Sequence, residues 1–376
     1  MNKNKNNLLF LNIHCNLIPI NKDSRNAYRE MMKMKIALVG ISGYGGMVLY
    51  QMLQHHSQVT QIELYGHQQT VPTPLSQVVP LFVGDHTHQV LPYNSSQIMA
   101  HNDAVFFATS AGVTSQLAAP FIAHHFPVID LSGDYRLKQP ATYEKWYHKP
   151  AAKLADLQMA HYGLAEFNDA RHQSYIANPG CYATATLLGL APLIQDHLVD
   201  VDSIIVDAKS GTSGAGKTPS AMAHFTQVND NLQLYKVNEH KHIPEIVQQL
   251  QQWDSTVSAI QFSTTLLPIT RGILATIYVK ATPTTTATMV DHAFQTTYAN
   301  QPFVRYTGQQ MPTIKQVVGT NYCDLGVIYN ETTHTIMVAS VIDNLVKGAG
   351  GQAIQNFNQM NGFDEADGLP TDVLLP

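Results

Sequence analysis

Short apolar runs alternate with amphipathic stretches through the first half of the chain. Four runs with the character of strands occupy residues 35–39, 61–65, 104–108 and 127–131. A short run that is almost entirely apolar is typical of a parallel strand buried on both faces. Helical periodicity follows in residues 47–55 and 112–124. This alternation predicts an α/β fold, namely a doubly wound domain built on a parallel sheet.

The pattern changes after residue 180. Strand-like runs cover residues 204–208, 259–263 and 272–279, and the last carries a β-branched or aromatic residue at most positions. Helical patterns cover residues 237–250 and 288–299. We therefore expect a second domain of the α+β class with a mixed or antiparallel sheet.

These patterns give provisional boundaries. We assign residues 34–179 to the doubly wound domain and 180–340 to the α+β domain. Residues 341–376 form a C-terminal helix, at about 350–361, and a polar tail that return to the first domain.

Residues 1–33 precede the first convincing strand, and we expect them to form a disordered extension. Their apolar patch at 8–20 is interrupted by Asn12, His14 and Asn16, and no small-residue cleavage site follows it. A signal peptide is therefore not predicted.

Composition narrows the class of protein. The net charge is −5 and Lys and Arg form no stripe, which argues against nucleic acid as a partner. No apolar run has the length of a membrane span. The three cysteines, Cys15, Cys181 and Cys323, are too few and too scattered for a disulfide framework, so we expect a cytoplasmic protein.

A glycine-rich turn at residues 40–46, Gly-Ile-Ser-Gly-Tyr-Gly-Gly, joins the first strand to the first helix. Such a turn lets the backbone approach a pyrophosphate at the start of the helix, although a tight turn without ligand also fits. NAD sites usually carry an acid at the end of the second strand. Residues 65–70 contain none, and Glu63 lies inside the strand, so NADP is favoured, although no arginine is nearby for its 2′-phosphate.

A Pro-Gly turn delivers Cys181 to the start of a predicted helix. The positive end of a helix lowers the pKa of a thiol and favours a nucleophilic thiolate. The alternative is a buried cysteine that acts as a small apolar side chain.

Two histidines and a carboxylate follow at His240, His242 and Glu245. They are suited to a general base and the group that orients it. A metal site would need further ligands that the sequence does not supply, and a solvated helix start is the third interpretation.

Residues 210–217 match the P-loop pattern formally, because Gly211 is followed by Gly216, Lys217 and Thr218. We reject an ATPase because Pro219 comes next, whereas a P-loop opens a helix. A flexible loop that contacts a phosphate or the nicotinamide side of a cofactor fits better.

Two smaller segments complete the set. Residues 130–136 follow a predicted strand, where open α/β sheets bind ligands, and Arg136 is suited either to a carboxylate or phosphate or to a surface ion pair. Residues 343–351 are a glycine-rich start of a helix that we expect to return to the cofactor.

Taken together, these motifs resemble the N-acetyl-γ-glutamyl-phosphate reductase family of arginine biosynthesis. The matching segments, in the family's order, are residues 40–46, 130–136, 162–166, 178–184, 210–217, 240–246 and 343–356. Pro-Gly-Cys-Tyr and His-x-His-x-Pro-Glu-Ile are the specific ones. Ala183 and Ala165 stand where proline is common, and Lys217 stands where arginine is frequent.

The resemblance implies a fold similar to aspartate-semialdehyde and glyceraldehyde-3-phosphate dehydrogenases, and a homodimer or homotetramer built on the second sheet. It implies NADPH-dependent reduction of an acyl phosphate through a thioester on Cys181, with His242 as acid and base and Glu245 orienting it. Arg136, Ser210 and Ser213 are the expected contacts to the substrate carboxylate and the leaving phosphate, and His240 is expected to bind substrate or oxyanion. The expected cofactor contacts are Gly40, Ser42, Gly43, Tyr44, Gly45, Gly46, Ser132, Gly214 and Asn344.

Three rival hypotheses remain at this point. A related reductase would act on aspartyl phosphate or on a carrier-linked aminoadipyl phosphate. A regulatory protein would bind the dinucleotide without turnover, and a cysteine hydrolase would use Cys181 and His242 without NADPH.

Overall fold

The computed structural model describes residues 33–373. Within this range the strands, numbered β1 to β15 in chain order, are Met34–Val39, Val59–Gly66, Thr73–Pro74, Gln89–Pro92, Ala104–Phe107, Val128–Asp130, His161–Tyr162, Tyr175–Ala177, Ile205–Ser210, Gln233–Tyr235, Gln261–Leu266, Ile273–Lys280, Val304–Tyr306, Cys323–Asn330 and Thr335–Ile342. The α-helices, numbered α1 to α12, are Tyr44–Gln54, Leu75–Val78, Ser95–His101, Thr114–Leu117, Ala119–Ala123, Pro140–Tyr147, Leu154–Met159, Cys181–Gln195, Phe225–Val228, Ile243–Trp253, Ala287–Tyr298 and Gly351–Asn361. Shorter 3₁₀ turns cover Pro80–Phe82, Val201–Ser203, Thr212–Ala215 and Ile314–Gln316, and a π-helical turn covers Val346–Gly350.

The first sheet has eight strands in the order β3-β4-β2-β1-β5-β6-β8-β7. Every neighbouring pair is parallel except β3 with β4 at one edge. Helices cover both faces, and the central strands are therefore apolar throughout, as in Ala104–Phe107, where every residue is buried. The predicted doubly wound parallel sheet is confirmed.

The second sheet has seven strands in the order β10-β11-β9-β12-β15-β14-β13. It is mixed, because β9 pairs with β11 and β13 with β14 in parallel while the other pairs are antiparallel. Burial alternates along β12, as expected of a sheet with one face on the core. The predicted α+β domain with a mixed sheet is confirmed.

Helix α8 packs against the second sheet and forms the centre of the core there. Every residue from Tyr182 to Ile194 is buried. Gly189 allows the close approach, since a Cβ there would lie 2.7 Å from the Cδ1 atom of Ile277. Cys181 begins this helix and is thereby anchored to a rigid element.

The C-terminal helix α12 packs against the first sheet. Ile354 and Phe357 share a core with Leu38 and Phe106, and the rings of Phe106 and Phe357 are 5.4 Å apart. The domain boundaries that we assigned stay predictions.

Two local predictions were wrong. The helix expected at 237–250 begins only at Ile243, because Pro244 suits the first turn of a helix and Asn238 has φ +57°. The helix expected at 112–124 is divided into α4 and α5 before Pro120, because proline has no backbone N–H to donate to a helical hydrogen bond.

Strands β14 and β15 had not been predicted at all, although they form a long antiparallel pair. The expected disorder of residues 1–33 concerns residues that lie almost wholly outside the described range. Between residues 33 and 373, no helix combines the length and apolar character that crossing a membrane requires.

Candidate active site

A cleft of about 690 Å³ opens at the carboxyl ends of β1 and β5. Strand β2 lies on one side of β1 and β5 on the other, so the strand order reverses at this point. Open α/β sheets bind ligands at such a reversal. The second domain contributes the loop after β9 and the segment that precedes α10. The volume suits a small molecule.

The glycine-rich turn lines one wall of the cleft from Gly40 to Gly45. Gly40 has φ +105°, and a Cβ there would lie 2.6 Å from the carbonyl oxygen of Ala108, so only glycine fits. Helix α1 has neither a side-chain cap nor an acidic residue in its first turn. Its first N–H groups are therefore available to an anion, and the turn fits the pyrophosphate of a dinucleotide.

Ser42, Gly43 and Tyr44 also line the cleft, whereas Gly46 does not. Gly46 packs against the carbonyl of Gly40, where a side chain would collide. It serves the packing of helix on strand, and its expected contact with a cofactor stays a prediction.

Ser132 lines the cleft but is already engaged by a neighbour. Its N–H and its hydroxyl donate to the two carboxyl oxygens of Asp130, at 2.8 and 2.9 Å. The pKa of Asp130 is raised to about 7 by burial and by Asp134, against the hydrogen bonds from Ser132.

The end of β2 offers no acid to a ribose. The Oε2 atom of Glu63 accepts from the hydroxyl of Tyr65 at 2.6 Å and from the amide of Asn102 at 3.0 Å. His67 follows the strand and lines the cleft instead.

Cys181 is the first residue of α8 and is half-buried in the wall of the cleft. Gly348, in the π-helical turn, packs so closely that a Cβ there would lie 2.7 Å from the Cβ of Cys181. Burial raises the pKa of the Cys181 thiol above its ordinary value, although Arg136, the N–H of Tyr182 and Lys241 lower it. The lowered pKa that we expected from the helix start is therefore wrong, because removal from water outweighs it.

His242 immediately precedes α10, and its ring packs on Gly180, where any side chain would collide with Nε2. His240 lies beside it, with ring centroids 4.7 Å apart at 78°. Both line the cleft. Within residues 33–373 no hydrogen bond joins the Cys181 thiol to either ring, and Nδ1 of His242 has no partner.

Both imidazoles are neutral at physiological pH. Burial lowers the pKa of His242 well below its usual range, and His240 and Arg136 lower it further. Burial and Lys241 lower the pKa of His240 to about 3. In the described part of the chain, no group of three or more His, Cys, Asp and Glu side chains is placed to hold a metal ion.

Glu245 does not orient His242, contrary to our expectation. Its Oε1 atom accepts from the N–H of Gly180 at 2.7 Å and from the hydroxyl of Tyr162 at 2.8 Å. Its Oε2 atom lies 3.5 Å from Arg136. Fully buried behind the cleft, this carboxylate anchors the turn that presents the cysteine.

Arg136 lines the cleft but is 6% exposed. Its Nε atom donates to the carbonyl of Asn178 at 2.7 Å, and another nitrogen donates to the carbonyl of Leu131 at 2.8 Å. The third nitrogen faces Glu245 in a buried ion pair, so the alternative that Arg136 forms an ion pair at the surface is wrong. Each of its nitrogens already has a protein acceptor.

Ser210 ends β9, Ser213 and Gly214 lie in the loop that follows, and all three line the cleft. The amide of Asn344 donates to the hydroxyl of Ser213 at 3.0 Å and accepts from the N–H of Gly272 at 2.7 Å. Asn344 therefore holds this loop in place. A 3₁₀ turn, Thr212–Ala215, follows β9 in place of the helix that a P-loop requires.

The sequence had assigned no role to several residues that line the cleft. Thr109 and Ser110 follow β5, and their place at the carboxyl end of a parallel strand would have identified them. Lys241 and Gly348 lay inside recognised motifs, but only the folded chain shows that Gly348 packs on Cys181 and that the charge of Lys241 acts on the thiol.

Two family models match successive parts of the chain. Residues 35–175 match the semialdehyde dehydrogenase NAD binding domain, and residues 181–344 match the semialdehyde dehydrogenase dimerisation domain. The boundary between the two matches falls at the turn that leads to Cys181.

Curated relatives are similar over nearly their whole length. The N-acetyl-gamma-glutamyl-phosphate reductase of Limosilactobacillus fermentum is 67% identical over 343 residues, which is 91% of this chain and 100% of that protein. The enzyme of the same name from Listeria monocytogenes is 51% identical over 337 residues, 89% of this chain and 98% of the relative.

Solved structures share the fold. Aspartate semialdehyde dehydrogenase II of Vibrio cholerae has a TM-score of 0.64 at 16% identity, covering 87% of this chain and 98% of its own. The Candida albicans aspartate semialdehyde dehydrogenase, solved with NADP, has a TM-score of 0.61 at 12% identity, covering 88% and 99%.

Proposed function

The chain belongs to the N-acetyl-gamma-glutamyl-phosphate reductase family, and from this premise we propose that it reduces N-acetyl-L-glutamyl 5-phosphate to N-acetyl-L-glutamate 5-semialdehyde in L-arginine biosynthesis. One observation carries the proposal: a single cleft holds a glycine-rich turn, the Cys181 thiol and the imidazole of His242. These are the parts that reduction through a thioester requires.

Cys181 is the proposed nucleophile. Its Sγ attacks the acyl carbonyl carbon and forms a C–S bond, while the C–O bond to phosphate breaks and its electron pair leaves with phosphate. The product is a thioester on Cys181. Because burial raises the pKa of this thiol, its proton must be transferred as attack proceeds.

His242 is the proposed acceptor of that proton. Its lowered pKa keeps the ring neutral, and its position on Gly180 brings it next to the residue that carries the thiol. The same ring returns a proton to the carbonyl oxygen during reduction. The resulting thiohemiacetal gives its hydroxyl proton back to the imidazole of His242, and its C–S bond breaks with the electron pair leaving on Sγ. The aldehyde is released, and the proton passes from His242 to Sγ to regenerate the Cys181 thiol.

The first N–H groups of α8 and His240 are the proposed donors to the oxyanion that develops at the carbonyl. Helix α8 has no side-chain cap, so no side chain of the described chain competes for those groups. Glu245, through the N–H of Gly180, is a positioning residue rather than an acid or base.

The glycine-rich turn and Gly214 are proposed to hold a nicotinamide dinucleotide, which when bound supplies the hydride. We propose NADP over NAD. Glu63, the acid nearest the end of β2, already accepts three hydrogen bonds, and His67 lines the cleft in place of an acid.

The second sheet is proposed to build a homodimer or homotetramer. Ile205, Tyr278, Met337 and Ile328 form one row across four neighbouring strands, by their register. Ile205, Tyr278 and Ile328 are exposed, which leaves an apolar strip on the sheet face that α8 does not cover. Sedimentation of Tyr278→Asp should show a smaller assembly than the parent protein, and an unchanged mass would contradict this interface.

The function is tested in the oxidative direction. We expect N-acetyl-L-glutamate 5-semialdehyde to reduce NADP only when inorganic phosphate is present. The kcat/KM measured with NAD should be at least tenfold lower than the kcat/KM measured with NADP. Aspartate semialdehyde is the comparison substrate. Turnover that needs no phosphate, or a preference for aspartate semialdehyde, would refute the assignment.

A further inference from the structure

Two cations, Arg136 and Lys241, act on the thiol, and a third, Lys236, acts on Lys241, but the three are not equivalent. Arg136 faces Glu245 at 3.5 Å and donates to two backbone carbonyls. Lys236 is exposed and does not line the cleft. Lys241 is half-buried and lines the cleft between the two histidines in sequence. Protein groups therefore compensate the charge of Arg136, the charge of Lys236 lies outside the cleft, and the charge of Lys241 lies inside it.

Lys241 has no acceptor in the described part of the chain. Within residues 33–373 its Nζ makes neither a hydrogen bond nor a salt bridge, and its nearest organised contact is the ring of Tyr147, with the centroid 5.5 Å away. An aromatic face holds an ammonium without using its N–H groups. Three donors thus remain for a ligand.

The electrostatic surroundings of Lys241 favour an anion. Burial lowers its pKa, and the positive charges of Arg136 and Lys236 lower it further. Cys181 and Glu245 act in the opposite direction. Since Glu245 already faces Arg136, an excess of positive charge remains beside Cys181. Half-buried charge without a partner is costly in a folded protein and is characteristic of binding sites.

We propose that Lys241, rather than Arg136, binds the phosphate group of the acyl phosphate beside Cys181. This rests on the proposed function. The phosphate is bonded to the carbonyl that Cys181 attacks, whereas the substrate's α-carboxylate lies several bonds away from that carbon. Lys241 is coupled electrostatically to the thiol, so its charge acts at the reacting end. The ammonium of Lys241 offsets the negative charge that the phosphate oxygen gains as the C–O bond breaks. Arg136 instead holds Glu245 and the backbone around the site in place.

The test uses Lys241→Met in the intact protein and the oxidative reaction, in which phosphate attacks the thioester carbonyl and the C–S bond breaks. The KM for inorganic phosphate should rise about tenfold or more, the usual loss when a charged hydrogen bond is removed. The first-turnover burst of NADPH, which needs no phosphate, should keep its amplitude. Lys241→Arg should recover part of the loss.

Lys236→Met is the matched control, because it removes a nearby positive charge outside the cleft. We expect its phosphate KM to change less than twofold. A second readout is independent of turnover: inorganic phosphate should protect Cys181 from iodoacetamide in the parent protein, and this protection should be lost in Lys241→Met.

Each other outcome is decisive. An unchanged phosphate KM and retained protection in Lys241→Met would overturn the proposal. A raised KM for the semialdehyde alone would assign Lys241 to the carboxylate and would also overturn it. Equal losses in Lys236→Met would mean that general charge rather than contact matters. If the parent protein shows no phosphate-dependent turnover, the proposed function fails rather than the role of Lys241.

Discussion

Lys347 and Lys241 are both withdrawn from solvent, but they lie in regions with different chemistry. Lys347 is fully buried beside α12, where Nζ pairs with Glu166 and donates to the side chain of Gln355 at 2.6 Å. Gln355 in turn donates to Glu166 at 3.0 Å. Lys241 in the cleft makes no hydrogen bond or salt bridge to any described residue, and its ammonium lies over the ring of Tyr147.

The contrast is weaker for neutral groups, because the Oδ1 atom of Asn356 and the Oε1 atom of Gln352 on α12 are also buried without a partner in the described chain. Beneath α12, the amide of Asn356 donates to the carbonyl of Gly163 at 2.7 Å and to the side chain of Asn178 at 3.1 Å. In the cleft, Nδ1 of His242 is buried without a partner in the described chain. Matched polar groups stabilise the fold, whereas an unmatched group that also lines the cleft, such as His242, is available to a substrate.

The largest expected effect is in the cleft. Cys181→Ser should lower the phosphate-dependent rate at least about 10⁴-fold, because the nucleophile of the thioester step is lost. Steady-state reduction of NADP measures it. Cys323→Ser is the control, since Cys323 is fully buried in the second core and should keep nearly the parental rate. A Cys181→Ser protein with appreciable turnover would exclude the thioester.

The next effect is on stability, in the matched region. Lys347→Met should lower the free energy of unfolding by about 3–5 kcal/mol, because it leaves Glu166 buried without its cation. Adding Glu166→Gln should restore part of the loss. Urea denaturation measures both, and Lys280→Met at the exposed end of β12 should change stability by less than about 0.5 kcal/mol. A mild loss in Lys347→Met would mean that the ion pair is not needed.

Glu245 lies between the two regions. Glu245→Ala removes the acceptor of the Gly180 N–H and should lower kcat about 10²-fold with little change in KM, because the cysteine is displaced. Glu245→Gln keeps an acceptor oxygen and should recover much of the rate. If glutamine were as damaging as alanine, the charge beside Arg136 rather than the hydrogen bond would be responsible.

The smallest expected effect comes from Asp130, a buried carboxyl whose hydrogen bonds come from Ser132 and from the hydroxyl of Tyr175, at 3.1 Å. In the folded protein the pKa of Asp130 is about 7, above the ordinary value of 3.8. At a pH between these two values unfolding releases a proton, so the free energy of unfolding falls as pH rises. From pH 6 to pH 8 the loss should be about 1 kcal/mol. Asp130→Asn should remove that slope in urea titrations, and a parallel slope in both proteins would contradict the raised pKa.

Much of the fold was predictable from local pattern. The apolar run of β1, the glycine turn and the helix α1 follow one another in sequence, so neighbouring residues specify them. Strands β14 and β15 were missed although they pair along their whole length. The apolar run of β14 contains Gly326, and a polar hairpin separates β14 from β15. The other neighbour of β15 in the sheet is β12, which lies far away in sequence.

The candidate site was predictable in its residue types but not in its contacts. The motif that contains His240, His242 and Glu245 was recognised, yet the carboxylate serves Gly180 and Arg136 instead of the histidine. Spacing along a chain cannot specify which of two nearby donors a buried oxygen meets, since this depends on how α8 and α10 pack.

The sequence by itself determined the doubly wound and mixed-sheet domains, the family, and the position of Cys181 at the start of a helix, because each depends on residues that are close together in the chain. Only the tertiary structure decided that burial raises the pKa of that thiol, that Arg136 is already engaged, and that Lys241 is not. The physical reason is that desolvation and charge compensation depend on every group packed around a site, and those groups come from distant segments.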